Sequence, residues 1–426
     1  MAAIVPGRPT QVDEVDFYCP ATQEDWYPTY DLLRAEAPVW QMPGTTTFVL
    51  TRYDDIADVL RRIEVFGRGA GSSTPSSGPN EITRAIYERD GWPRRSVLGS
   101  NPPEHADYRR IVDPFFTVAA AERRRDLIQG IIDELLAAFE GDGTCEFVRQ
   151  FAVPLPVRVI TAFMGFRAED IPQLKVWSEA WVLPFKGRLS DEEAAYAGEK
   201  GVEFQHFIAD TMRHKRATPD ESVISYLVNE ARFRDRPLTE AEIINMVDHL
   251  YIGGNETTTF ALTSGMWLLV SNPATLDALR ADRTRTRVFV EEVLRAESPT
   301  MGMVRTALVD TEVGGVPIPR GASLHLRYAA ANRDPAVFAC PAEFDHQRAN
   351  AHRHLAFSWG ETVCPGAGLS RVEQRLAFET LVPRLANLRF SPGRNDFTHH
   401  PNVTLRAMKE LWLDWDPPAP PAAREK

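Results

Sequence analysis

A single cysteine stands in a short loop that reads Phe357-Ser358-Trp359-Gly360-Glu361-Thr362-Val363-Cys364-Pro365-Gly366. The residues on either side predict a strand over 354–357 and a helix over 369–385. Gly360 and Gly366 allow backbone conformations that turn amide N–H groups toward the Cys364 sulfur, and the following helix directs its positive end there. Such a loop suits a thiolate that binds a metal, although a lone cysteine is more often buried and inert. The rest of the chain has to decide between these two interpretations.

The overall composition indicates a globular protein with a sizeable core. Of the 426 residues, 43% are hydrophobic and 25% are charged, and the net charge is −11. This charge argues against nucleic acid or an anionic membrane as the main partner. The four cysteines are widely spaced without a C-x-x-C pattern, so neither a disulfide framework nor a zinc site is indicated. We expect a monomeric, cytoplasmic protein with no membrane contact, because no signal peptide or membrane-length apolar run is seen.

The longest helical pattern runs over 239–271 and carries an unusual centre. Thr239 and Glu242 form a capping-box pattern at its start. Its middle reads Gly253-Gly254-Asn255-Glu256-Thr257-Thr258, and each glycine inside a helix costs about 1 kcal/mol. The stretch predicts either a packing kink where another helix approaches or a cavity beside an acid and a hydroxyl group.

Strand patterns occupy 39–51, 303–326 and 387–415, and helical patterns fill most of the remainder. The segment 68–80 is rich in glycine, serine and proline and lacks apolar periodicity. Long loops of this kind are either binding lids or disordered segments. We interpret the region of about 67–98 as a mobile lid.

The order of the motifs resembles the cytochrome P450 family of haem-thiolate monooxygenases, in length its soluble bacterial type. The resemblance rests on the cysteine loop, on Gly253-Gly254-x-Glu256-Thr257-Thr258 and on Glu292-x-x-Arg295, and it extends over most of the chain. It implies a mainly α fold with small β-sheets, shaped as a triangular prism with haem between a long distal helix and a proximal cysteine loop. The whole of 1–426 would then be a single haem-thiolate monooxygenase domain.

The resemblance also implies a cofactor, haem b, with dioxygen as co-substrate and Cys364 as the ligand of the haem iron. Glu256 and Thr257 would be catalytic, as an acid–alcohol pair that relays protons. The positions assigned to haem binding are His105, Arg109, Gly253, Arg305, His354, Phe357, Gly360, Cys364 and Gly366. The chain departs from the family at Thr362, where a basic residue is usual, so one haem propionate loses a cationic partner. We expect water or His354 to compensate for that loss.

A substrate pocket and a structural brace follow from the same resemblance. The pocket positions are His249, Gly253, Met301, Gly302, Met303, Val403 and Thr404. Their apolar character favours a lipophilic substrate, such as a terpenoid, a steroid or a polyketide-like compound. His249 either hydrogen-bonds a substrate oxygen or is a core histidine bonded to protein. Glu292, Arg295 and Arg333 are expected to form a buried ionic brace behind the haem.

Electrons are expected from a separate ferredoxin and its ferredoxin reductase, because the sequence contains no reductase-like segment. Arg109, Arg110, Arg353 and Arg371 could form a basic docking patch beside Cys364. The first alternative is a peroxide-driven or isomerising haem-thiolate enzyme, which has less need of the Glu256-Thr257 relay. A non-catalytic haem protein that senses ligands ranks last, because nothing resembles an output domain.

Overall fold

The computed structural model describes residues 8–68, 80–94, 97–186 and 189–417. Helices dominate these residues, as the resemblance implied. In chain order they are α1 (Pro20–Glu24), α2 (Tyr27–Glu36), α3 (Tyr53–Arg61), α4 (Glu81–Asp90), α5 (Glu104–Phe116), α6 (Val118–Arg123), α7 (Arg125–Ala137), α8 (Pro154–Met164), α9 (Ile171–Val182), α10 (Asp191–Ala217), α11 (Val223–Asn229), α12 (Glu240–Ser271), α13 (Pro273–Ala281), α14 (Thr286–Ala296), α15 (Tyr328–Ala331) and α16 (Ala367–Arg384). Within the described ranges, no helix combines the length and apolar character that crossing a bilayer requires.

The strands form small sheets at the margin of the helical body. They are β1 (Val39–Gln41), β2 (Thr47–Leu50), β3 (Phe66–Gly67), β4 (Thr144–Glu146), β5 (Arg232–Phe233), β6 (Arg236–Pro237), β7 (Met303–Ala307), β8 (Thr311–Val313), β9 (Val316–Ile318), β10 (Ser323–Leu326), β11 (Ala386–Phe390) and β12 (Trp412–Asp416). The largest sheet has the order β1-β2-β10-β7-β3. In it β10 runs parallel to β2, with Leu324 opposite Phe48, and antiparallel to β7. This sheet places Arg305 of β7 close to the end of β3.

Helix α12 crosses the centre of the main apolar core without interruption. The predicted capping box is present, since the Thr239 hydroxyl accepts from the Glu242 amide at 3.3 Å and the Glu242 carboxylate accepts from the Thr239 amide at 2.7 Å. A Cβ atom added to Gly254 would lie 3.0 Å from Ile160 of α8, whereas one added to Gly253 would have no neighbour within 4 Å. Gly254 therefore allows close helix packing, and Gly253 borders open space.

Part of the predicted lid is a helix. Residues 69–79 and 95–96 lie outside the described residues, but α4 forms between them and its Asn80 side chain caps the Ile82 amide at 2.9 Å. Tyr87 of α4 packs so closely on α10 that a Cβ atom at Gly201 would overlap its hydroxyl group. The sequence did not predict this short helix, because the preceding glycine-rich stretch led to the whole region being interpreted as a lid.

The ionic brace forms, but with a different third member. Arg295 donates to Glu292 at 2.7 and 2.8 Å, and both side chains are fully buried. Arg348 also contacts Glu292, at 3.1 Å. The expected participation of Arg333 is wrong, because its guanidinium turns the other way and pairs with Glu297 at 2.9 Å.

Candidate active site

The cysteine loop is held by its own backbone. The Cys364 amide donates to the Phe357 carbonyl at 2.8 Å, and Gly360 has a φ of +68°. Ser358, with a φ of +63°, also adopts the left-handed conformation, which the sequence did not predict. Gly366 has a φ of −76°, so it does not use the left-handed conformation that glycine permits. A Cβ atom at Gly366 would make an ordinary van der Waals contact with the Cys364 sulfur, at 3.8 Å.

The surroundings of the Cys364 sulfur favour its thiolate form, which can bind a metal cation. Burial raises the pKa of the Cys364 thiol, while the amides of Gly366 and Ala367 and the side chains of Arg109 and Arg371 oppose that rise. Helix α16 begins at Ala367 and directs its N-terminal end at the sulfur. Donors aimed at a half-buried sulfur fit a thiolate whose charge is shared with a metal ion.

A cavity of about 240 Å³, partly open to solvent, separates the cysteine loop from α12. Phe357, Cys364 and Pro365 line one side of it. Gly253, Glu256 and Thr257 line the same cavity from α12, so the two strongest sequence motifs share one space.

The acid–alcohol pair is anchored to neighbouring groups. Glu256 accepts from Lys175 Nζ at 2.6 Å and from Ser178 Oγ at 3.1 Å, both on α9. The Thr257 hydroxyl donates to the Gly253 carbonyl at 3.0 Å. Sequence reasoning missed Lys175, because only tertiary packing brings α9 beside the centre of α12.

One end of the cavity is strongly cationic. Arg68, Arg109 and Arg305 line it. The buried His105 has no hydrogen-bond partner for Nε2 among the described residues. Burial, and then these three arginines, lower the pKa of His105 to about 4. Converging cations and an unsatisfied buried imidazole nitrogen fit the carboxylate groups of a haem. Arg68 was missed, because it opens the glycine-rich segment that composition assigns to a lid.

His354 does not compensate for the missing cation at Thr362. Its Nε2 lies 3.0 Å from the Glu291 carboxylate, and its Nδ1 accepts from the Ala356 amide at 3.1 Å. Both ring nitrogens are therefore used away from the cavity, and its predicted haem contact is not supported by this geometry. The Thr362 hydroxyl instead accepts a hydrogen bond from Arg305 at 3.1 Å.

His249, Met303 and Thr404 line the remaining part of the cavity, together with Trp181 and Phe185, which the sequence did not single out. The His249 ring packs edge-on against the Trp181 ring, with 6.3 Å between the ring centroids. Burial, and then nearby arginines, lower the pKa of His249 to about 4. A neutral imidazole in an apolar wall can donate a hydrogen bond to a bound molecule or accept one from it.

The prediction that Met301, Gly302 and Val403 line the substrate pocket is wrong. Met301 and Val403 belong to a separate apolar cluster that packs on the N-terminal residues. Gly302 faces the next strand, where a Cβ atom would lie 2.4 Å from the Leu326 carbonyl oxygen. Gly302 therefore serves close backbone packing in the sheet.

The predicted basic patch is smaller than expected. Arg109 is buried, and Arg371 pairs with Glu291 at 2.6 Å. Arg110 and Arg353 are exposed, and Arg110 is paired with a neighbouring aspartate. Burial and ion pairing, which charge counting cannot foresee, leave Arg353 as the exposed member of the patch that is in no ion pair among the described residues.

Comparisons with known proteins agree with this geometry. A family model described as Cytochrome P450 matches residues 181–399. Cytochrome P450 monooxygenase PikC of Streptomyces venezuelae is 31% identical over 92% of this chain and 91% of its own length. The 6-deoxyerythronolide B hydroxylase of Saccharopolyspora erythraea is 28% identical over 91% of this chain and 95% of its own. The structure of P450BioI in complex with hexadec-9Z-enoic acid ligated acyl carrier protein superposes with a TM-score of 0.84 at 28% identity, covering 93% of this chain and 99% of that one. The chain therefore belongs to the cytochrome P450 family of haem-dependent monooxygenases.

Proposed function

We propose that this chain hydroxylates a lipophilic small molecule, using one atom of dioxygen and electrons from a separate ferredoxin and its reductase. The observation that carries the proposal is one cavity with Cys364 on one side and Glu256 and Thr257 on the other. Haem b, held through Cys364, would supply the iron chemistry that activates dioxygen. His105, Arg109 and Arg305 are the donors available for its carboxylates.

The proton supply is assigned to Glu256 and Thr257. Lys175 and Ser178 hold the Glu256 carboxylate at the edge of the cavity, so it can take a proton from the α9 side. The Thr257 hydroxyl can turn from the Gly253 carbonyl toward the open space beside it and pass a proton there. Lys175 is a positioning residue in this scheme.

The lining of the cavity supports a largely apolar substrate with a polar anchor. Trp181, Phe185 and Met303 provide apolar surface, and His249 offers a neutral hydrogen-bonding group. We infer that His249 binds a substrate oxygen. The relationship to a hydroxylase of 6-deoxyerythronolide B supports a polyketide-like compound ahead of a steroid or a terpenoid.

The surface outside the cysteine loop supports a ferredoxin as the electron donor. Trp359 and Val363 are exposed by 44% and 39%, although both are large and apolar. The Arg61 guanidinium lies 5.6 Å from the Trp359 ring, and Arg353 is exposed nearby in sequence. An apolar centre with a cationic rim fits an acidic partner.

The test compares turnover with a ferredoxin, its reductase and dioxygen against turnover with peroxide alone. We expect product mainly from the first system. Glu256→Gln should lower product formation roughly a hundredfold and divert electrons into hydrogen peroxide, because the proton relay is lost. The matched control is Glu179→Gln, since Glu179 also approaches Lys175, at 3.7 Å, but is exposed. Equal activities of the two variants would contradict the proposal. So would turnover with peroxide alone that equals or exceeds turnover with the ferredoxin system.

A further inference from the structure

Arg68 is a cation held firmly at the edge of the cavity. Its amide donates to the Asn101 side chain at 2.7 Å, and the Asn101 amide group donates back to the Arg68 carbonyl at 3.1 Å. One guanidinium nitrogen donates to the Leu98 carbonyl at 3.3 Å. Arg68 lines the cavity, and the charged groups described around it are Arg305, Arg109, Tyr328 and Cys364, none of which is a carboxylate.

The positive charge around Arg68 is poorly balanced. Burial, followed by the nearby Arg305, lowers the pKa of Arg68 to about 10. Arg109 pairs with Asp113 at 2.6 Å, but the described residues provide Arg305 with only the Val304 carbonyl and the Thr362 hydroxyl. Buried like charges without enough acids destabilise a protein unless an anion binds among them. The cluster is therefore built for an anionic group.

We propose that Arg68 binds a haem propionate beside Arg305 and replaces the basic side chain that Thr362 does not provide. The proposal rests on the haem-binding function proposed above. The Thr362 hydroxyl accepts from one Arg305 nitrogen at 3.1 Å and thereby fixes the direction of that guanidinium. Thr362 carries no charge, and His354 is committed to Glu291. Among the described residues that line the cavity, Arg68 is the remaining cation that can supply the positive charge absent at Thr362.

The experiment measures the rate at which the purified ferric holoenzyme loses haem to excess apomyoglobin, followed by absorbance. Arg68→Gln should lose haem about tenfold faster or more, because a charge-assisted hydrogen bond to the propionate is lost. Arg68→Lys, which keeps the charge, should stay within about threefold of the wild type. The control is Arg110→Gln, because Arg110 is exposed and outside the cavity lining.

Thr362→His distinguishes the possible outcomes. Added to Arg68→Gln it should restore slow haem loss, and added to the wild type it should change the rate by less than about threefold. The proposal is wrong if Arg68→Gln behaves as Arg110→Gln. It is also wrong if Thr362→His alone slows haem loss about tenfold, because the site would then still lack its cation. That single variant tests the proposal even if Arg68→Gln does not fold.

Two further readouts separate this proposal from its alternatives. If Arg68→Gln weakens binding of a long-chain fatty acid while haem loss is unchanged, Arg68 binds substrate carboxylates and the proposal is wrong. If the wild type acquires no thiolate-bound haem at all, the proposed function itself fails, whatever the variants do.

Discussion

At the scale of single residues, His249 shows how the fold sets the chemistry of a side chain. An exposed histidine takes up a proton near pH 6.5, but burial and the surrounding arginines lower the pKa of His249 to about 4. The imidazole therefore enters the cavity wall as a neutral group. Its two ring nitrogens then offer one donor and one acceptor to a bound oxygen.

This lowered pKa predicts a pH dependence of stability. Below pH 6.5 the unfolded chain binds a proton at His249, whereas the folded chain does not bind it until about pH 4. The free energy of unfolding therefore decreases as the pH is lowered from about 6.5 to about 4. His249→Gln should remove a loss of up to about 1.4 kcal/mol per pH unit, and its Tm should fall less steeply than that of the wild type. The control is His352→Gln, at an exposed histidine. Parallel Tm curves for His249→Gln and the wild type would contradict the prediction.

At the scale of the elements, α12 and the cysteine loop illustrate what local sequence can reveal. The capping box, the glycine pair and the acid–alcohol motif were predictable, because each depends on residues that are near one another in the chain. The expected strand over 354–357 is absent, since these residues form the turns that enter the loop. Arg348 and Arg333 were indistinguishable in the sequence, because only the direction of each side chain decides which one reaches Glu292. Arg68 was overlooked for another reason, because it opens the glycine-rich segment that composition assigns to a lid.

The brace behind the loop gives a prediction about coupling. Arg348→Met should destabilise the protein by about 3 kcal/mol or more, because Glu292 would keep only part of its buried charge compensation. In a double-mutant cycle, Arg348→Met and Glu292→Gln should couple by roughly 1 kcal/mol or more. Arg333→Met, which removes the partner of Glu297, is the matched control and should be additive with Glu292→Gln. Thermal unfolding of the holoenzyme measures each effect, and coupling of Arg333 with Glu292 would restore the original assignment.

At the scale of the whole molecule, helices and sheet strands both contribute to the wall of the cavity beside the cysteine loop, and Trp359 and Val363 of that loop are exposed. The family and mainly α fold were predictable, because the spaced motifs extend over most of the chain. The cavity wall was only partly predictable, since Met301, Gly302 and Val403 pack elsewhere while Trp181 and Phe185 take their place. Long-range packing decides which side of a helix or strand faces the open space.

The proposed electron donor predicts a surface-charge effect. Arg353→Glu should slow electron transfer from an acidic ferredoxin about tenfold at low ionic strength, because the reversed charge repels the partner. The difference should shrink at high salt. Arg389→Glu, at an exposed arginine on the sheet of β11 and β12, is the control. Stopped-flow reduction measures both variants, and equal rates would argue against docking at the cysteine loop.

The most direct test of the central assignment is the difference spectrum of the reduced protein with carbon monoxide. If Cys364 binds the haem iron, the Soret band will lie at the long wavelength typical of thiolate ligation, and Cys364→Ala will abolish it. A band at the shorter wavelength of histidine-ligated haem, or an unchanged spectrum in Cys364→Ala, would contradict the account.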